Sequence, residues 1–153
     1  MPLVQRKELL SLKDVHLKQE DLEGLPPGLL TGILLFLGKW DAAHNIAQDL
    51  HTKEGSYWHA IIHRQEPDSW NSNYWFRQTG AHPVFTQLAE QASPLIQSLP
   101  ASGFSIRGKW DAAQFTHFCE AVKSGSKEEH LAIQLQHVEW QLLMNHCCEG
   151  ISI

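Results

Sequence analysis

Helix start and stop signals punctuate this chain from Pro26 onward, and almost nothing in it reads as a strand. No segment sustains the period-two alternation with β-branched residues that a half-buried strand needs. Pro26-Pro27-Gly28 opens a helix to about Leu37, since proline is tolerated in a first turn, and Gly38 closes it. Asp41 is the expected N-cap of the next helix, AAHNIAQDL. Residues 52–55, TKEG, are expected to form a turn before helix SYWHAIIHRQ, which must stop ahead of Pro67. Asp68 or Ser69 caps WNSNYWFRQT, closed by Gly80. His82-Pro83 starts a helix to about Ala92, with Pro94 kinking or breaking it. A loop at 100–109 precedes a helix capped by Asp111 and ending at Gly125. Ser126 and Glu129 form a Ser-x-x-Glu capping box for a last helix to about Cys148.

These signals predict an all-α chain: an N-terminal arm at 1–25 with a short helix, then one domain of six to seven helices at 26–150. The order helix, tight turn, helix occurs twice, in LLTGILLFLGKWDAAHNIAQDL and in SYWHAIIHRQEPDSWNSNYWFRQTG. The two units resemble tetratricopeptide-type hairpins, although that family's full signature is missing and two units are too few to stand as a solenoid. GKWDAA recurs at 38–43 and 108–113, which reads as reuse of one helix-start device.

Composition narrows the functional classes. A chain of 153 residues with 42% apolar residues can bury a real core. A net charge of −5 without any Lys/Arg block argues against nucleic acid. The longest apolar run, 32–37, is far short of the ~20 residues that span a bilayer. Three cysteines, two of them adjacent, make a poor disulfide framework and predict reduced thiols in a cytoplasmic protein. Ten histidines stand out, and imidazoles serve as metal ligands or as acids and bases near neutral pH.

Two of those histidines, His59 and His63, are four apart and share a helix face, the spacing by which helices grip one metal ion. On the preceding helix His44, Gln48 and His51 share a polar face opposite Ala42, Ile46 and Leu50. Antiparallel pairing across 52–55 sets His44 level with His63 and Gln48 level with His59. Three imidazoles from His44, His59 and His63 would then suit Zn²⁺, Fe or Mn. The alternative is that both polar faces simply meet water.

Glu139 falls inside the apolar stripe Leu131, Leu135, Val138 and Leu142 of the last helix, as does His146. A carboxylate there needs a partner: Arg64, Arg77, a histidine or a metal. It is either half of a buried Glu–Arg pair or a fourth ligand or general base. Arg64 and Arg77 are candidate clamps for an anionic small molecule, or else pair with Glu66 and Asp68. Tyr57-Trp58 and Tyr74-Trp75 read as packing aromatics, His82 as a loop or N-cap residue, and His16, His117, His130 and His137 as surface residues.

Ala43-His44 with Gln48, YWHAIIHRQEPD at 57–68, NSNYWFRQTGAHP at 71–83, WDAAQFTHFCE at 110–120 and QHVEWQLLMNHC at 136–147 together resemble a family of small helical proteins of bacteria and fungi. The resemblance covers most of the chain beyond residue 38. It implies that His44, His59, His63, Arg64, Glu66, Asn71, Tyr74, Arg77, Gly80, His82 and Glu139 fall on the family's pattern. It supplies positions and no reaction. One departure is Ala112-Ala113, where that pattern expects a Pro-aromatic pair.

Two functional classes are therefore in play. The first is a metal-dependent enzyme or metal-binding protein, with His44, His59 and His63 on the ion, Glu139 as fourth ligand or base, and Arg64 or Arg77 orienting a small anionic substrate. The second is a helical interaction module whose histidines and arginines line a recognition groove, with Glu139 structural.

Overall fold

Capping side chains and glycines set most helix boundaries close to the expected places. The computed structural model describes residues 22–149. The expected arm falls mostly outside them, as do His16 and the last residues, from Gly150 on. Seven helices follow in order: α1 Pro27–Phe36, α2 Trp40–Asp49, α3 Lys53–Gln65, α4 Ser69–Thr79, α5 Pro83–Gln97, α6 Ala112–Ala121 and α7 Lys127–Cys148. A short 3-10 turn, Pro100–Ser102, follows α5. There is no strand among the described residues, only an isolated bridge between Arg107 and Lys109. No helix among them is long and apolar enough to cross a membrane.

Helix α3 is the hub. It is buried on nearly all sides, from Tyr57 to Ile62 without interruption and again at Arg64 and Gln65. It packs most extensively on α4, and also on α2, α1 and α6. Helix α7 packs on α5 and more lightly on α1 and α6. One continuous core of Trp58, Ile61, Ile62, Leu88, Phe115, Leu135 and Leu143 joins all of these layers, as expected for a single all-α domain.

Several boundaries depart from expectation for identifiable reasons. Asp41 lies in the first turn of α2, where its charge favours the helix dipole, and Lys39 holds the N-cap position. The stretch 52–55 is the first turn of α3, because Thr52 Oγ1 accepts from Gly55 N at 3.0 Å. A Cβ on Gly55 would stand 2.0 Å from the Leu50 carbonyl oxygen, so only glycine admits this entry. Helix α5 runs through Pro94 to Gln97. Its buried stripe Val84, Leu88, Ala92, Ile96 is continuous across the proline. Burial at about 1.5–3 kcal/mol per large side chain offsets the ~3 kcal/mol that an interior proline costs. Helix α6 stops at Ala121, four residues short of Gly125, where Val122 turns extended and tucks partly into the core. Ser126 Oγ accepts from Glu129 N at 3.0 Å as a capping box requires, but Glu129 Oε1 reaches back to Gly125 N, one residue upstream of the reciprocal position.

Candidate metal centre

Three imidazoles converge where α2 folds back against α3. His59 Nε2 lies 2.9 Å from His44 Nε2. The ring of His44 stands edge-on to those of both His59 and His63, at centroid distances of 4.6 and 5.4 Å. One nitrogen from each of the three lies within 4.8 Å of the others. His59 and His63 stack 4.8 Å apart, as the i,i+4 spacing dictates.

The His44 face of α2 meets α3 as expected, but the buried stripe of α2 is not the expected one. Ala43 and Ala47 are buried, whereas Ala42, Gln48 and His51 are exposed. The helix is rotated by about one residue, ~100°, from the predicted stripe. Small alanines let the two backbones approach, and His44, next to Ala43, is thereby carried to the rim of the interface.

Each imidazole is held differently. His59 is 3% exposed and stacks on Trp75 of α4 at 4.0 Å between centroids. Its Nδ1 is buried with no hydrogen-bond partner among the described residues. Burial, then the neighbouring His44 and His63, push its pKa down to about 3. His63 is also held below the ordinary imidazole value, chiefly by burial, with Glu66 and Asp68 acting the other way. Its Nδ1 lies 3.4 Å from Glu66 Oε2 and 3.9 Å from Asp68 Oδ2. Both carboxylates lie on the Nδ1 side of the ring, although Nδ1 itself makes no hydrogen bond among the described residues. Between His44 and His59 a single proton bridges two Nε2 atoms, and both lone pairs become available to a cation only when that proton leaves.

Glu139 does not join this group. It is completely buried and accepts from Arg64 Nη2, from Arg64 Nη1 at 3.4 Å, and from the Tyr57 hydroxyl at 3.0 Å. Arg64 is 3% exposed, with its guanidinium carbon 4.7 Å from the Phe115 ring centre and 5.8 Å from that of Phe76. Burial alone would lower the Arg64 pKa, but the adjacent carboxylate outweighs it and holds the group above its ordinary value. Burial and then Glu139 push the Tyr57 phenol well above its ordinary value. The expected roles of Glu139 as fourth ligand or base, and of Arg64 as an anion clamp, therefore find no geometry: the two pair with each other in the core, with Arg64 Nε left without a partner among the described residues. Arg77 is exposed, 6.0 Å over the Tyr74 ring.

A second cluster is not assembled from the sequence, although His146 stands inside the apolar stripe of the last helix. Glu54 Oε1 lies 3.1 Å from His82 Nε2 and 2.9 Å from His146 Nε2. Although the three side chains are close enough for an ion, the proton inventory opposes one. Val84 N donates to His82 Nδ1 at 3.2 Å, capping α5. Nδ1 then carries the lone pair, and Nε2 carries the proton that it donates to Glu54. Metal at Nε2 would require breaking that cap. The cluster is a carboxylate joining two imidazoles, and it ties the starts of α3 and α5 to the end of α7. Burial raises the Glu54 pKa, but its own backbone N–H and the two histidines outweigh this and bring it below the ordinary value. From sequence, Glu54 lies in the expected turn at 52–55, and the structure places it in the first turn of α3 instead.

Tyr57 and Trp58 are core residues, as expected. Tyr74, at 40% exposure, is not, and neither is Trp70 at 74%. His117, His130 and His137 are exposed. Asn71 is a helix-start residue, donating backbone N and side-chain Nδ2 to Asp68. No family model, curated protein or solved structure matches the chain.

Proposed function

We propose that this protein binds a divalent transition metal through His44, His59 and His63, with zinc as the ion the donor set favours. The observation that carries the reading is the convergence of three imidazoles, one of them buried and kept neutral to about pH 3. Neutral imidazole is the form that ligates, so protons compete poorly for His59. Tetrahedral Zn–N bonds of about 2.0–2.1 Å separate ligand nitrogens by roughly 3.3 Å. The 2.9 Å between His44 and His59 Nε2 is within a small rotamer adjustment of that. An all-nitrogen set without a carboxylate fits zinc better than non-haem iron, which favours two histidines and a carboxylate, or manganese, which favours oxygen. Three protein ligands leave a coordination position for water, the arrangement in which zinc acts as a Lewis acid.

Zinc titration of purified protein by calorimetry tests the proposal, with elemental analysis after reconstitution. One equivalent is expected, lost in His59→Gln and in His63→Ala with helical circular dichroism retained. Failure to take up zinc after reconstitution refutes it.

A second reading, a helical interaction module, is favoured by a single observation: Trp70 and Tyr74 stand exposed on one face of α4, with Arg77 one turn further on. Partner binding that survives chelator and is lost in Trp70→Ser would support this reading over the first.

A further inference from the structure

A groove of about 950 Å³ runs between α4, α5 and the 107–114 segment that leads into α6. None of His44, His59 and His63 lines it, so a role for the groove is independent of the metal reading. Its size suits a small organic ligand. Its walls are aromatic, from Phe76, Phe85 and Trp110.

The charge around it is opposite to that of the chain. Arg77, Arg107 and Lys109 line the groove, and none has a carboxylate within ion-pair distance among the described residues. A tight turn at Gly108, with φ +83°, carries Arg107 and Lys109 on either side of it. Of the two acids in the lining, Glu90 and Asp111, the second already accepts from Gln114 N at 3.0 Å as the cap of α6. The local balance is positive in a protein of net charge −5.

Two polar atoms in these walls lack partners. Trp110 is 5% exposed, and its indole N–H has no acceptor among the described residues; Asn73 Oδ1 has no donor. Both atoms are shielded from solvent, and Trp110 and Asn73 are the groove's two lining residues with such an atom.

We infer that this groove binds a small organic anion: an aromatic body against Phe76, Phe85 and Trp110, and a carboxylate held by Arg77 and Arg107. Guanidinium forks match a carboxylate in two parallel hydrogen bonds, which a lysine alone does not. The first turn of α6 also lines the groove through Ala112 and Ala113, its N-terminus capped by the Asp111 carboxylate.

The test is a ¹⁵N-detected titration of the full-length protein, following the Trp110 indole resonance, with three probes: naphthalene-2-acetate, its neutral amide, and inorganic phosphate. The expected result is saturable perturbation of Trp110 and of backbone amides at 112–114 by the acid, about tenfold weaker binding of the amide, and little response to phosphate alone. Arg77→Gln and Arg107→Gln alter exposed side chains and should retain the fold while each weakens the acid severalfold. Equal affinity for acid and amide overturns the carboxylate assignment. A response confined to residues outside the groove, or none at millimolar acid, overturns the site. Phosphate binding as well as the acid would show that the cations recognise charge without the aromatic body, and the inference would fail in that form.

Discussion

Replacing Arg64 by methionine tests whether the Arg64–Glu139 pair belongs to the core or to chemistry. Both side chains are buried, and beyond Arg64 the Glu139 carboxylate accepts a hydrogen bond from the Tyr57 hydroxyl. Methionine keeps most of the volume between Phe76 and Phe115 but strands a buried charge. Breaking a buried pair from one side costs about 3–5 kcal/mol, a large fraction of the 5–15 kcal/mol typical of a domain. At about 3 °C per kcal/mol for a chain of this size, Tm should fall by roughly 9–15 °C. Glu139→Leu should be comparably harmful, since it strands the guanidinium. The double variant Arg64→Met/Glu139→Leu removes both charges and should recover most of the loss, giving a coupling of at least ~2 kcal/mol in a double-mutant cycle. Urea denaturation of the four proteins measures it, and zinc stoichiometry measured alongside should be unchanged in each folded variant. Additive losses below ~1 kcal/mol each would refute the account of an obligate buried pair.

Stability should fall on acidification, because the unfolded His59 takes a proton near the ordinary value of about 6.5 while the folded one resists to about 3. Between those values the unfolded state binds the extra proton, so stability is lost as pH drops through the unfolded value; the urea midpoint of His59→Gln should depend less on pH between neutral and mildly acidic buffers. Gly32→Ala places a Cβ 2.2 Å from Met144 Sδ and 2.7 Å from Trp58 Cζ2; overpacking of about 1–3 kcal/mol should exceed the ~1 kcal/mol gain in helix propensity and lower Tm. Gly28→Ala meets nothing closer than Cys147 Sγ at 3.3 Å and should be near neutral in the same assay. Of the three thiols, exposed Cys148 should react quickly with a disulfide reagent in native protein, while burial holds Cys119 at about 12 and Cys147 at about 11 and keeps both slow.

What could be read from sequence was what is local. Helix ends at Asp68, His82, Asp111 and Ser126 are written in side chains that bond within a few residues, whereas 52–55 reads as a turn and conceals the Thr52 cap. The approach of His44 to His59 and His63 follows from an i,i+4 pair and one tight turn. The rotation of α2 was harder, because Ala42 and Ala43 are equivalent by hydrophobicity and only packing against α3 chooses between them. For Glu139 the sequence left Arg64, Arg77, a histidine or a metal as partners, and choosing needed the crossing of α3 and α7. Glu54 with His82 and His146, and the groove around Trp110, join segments far apart along the chain, and no local pattern groups them.

The separation along the chain of the two polar groupings has a physical corollary. His44 and His59 are 15 residues apart, whereas Arg64 and Glu139 are 75 apart. Chain-closure entropy grows only logarithmically with length, but the short contact needs just one hairpin to exist, while the long one needs the whole globule. An ion clasped by the imidazoles would therefore protect the α2–α3 hairpin against local opening even after the C-terminal helix had come away. Hydrogen exchange with and without zinc would then slow first and most in two helices, and the α7 amides would keep their own timetable.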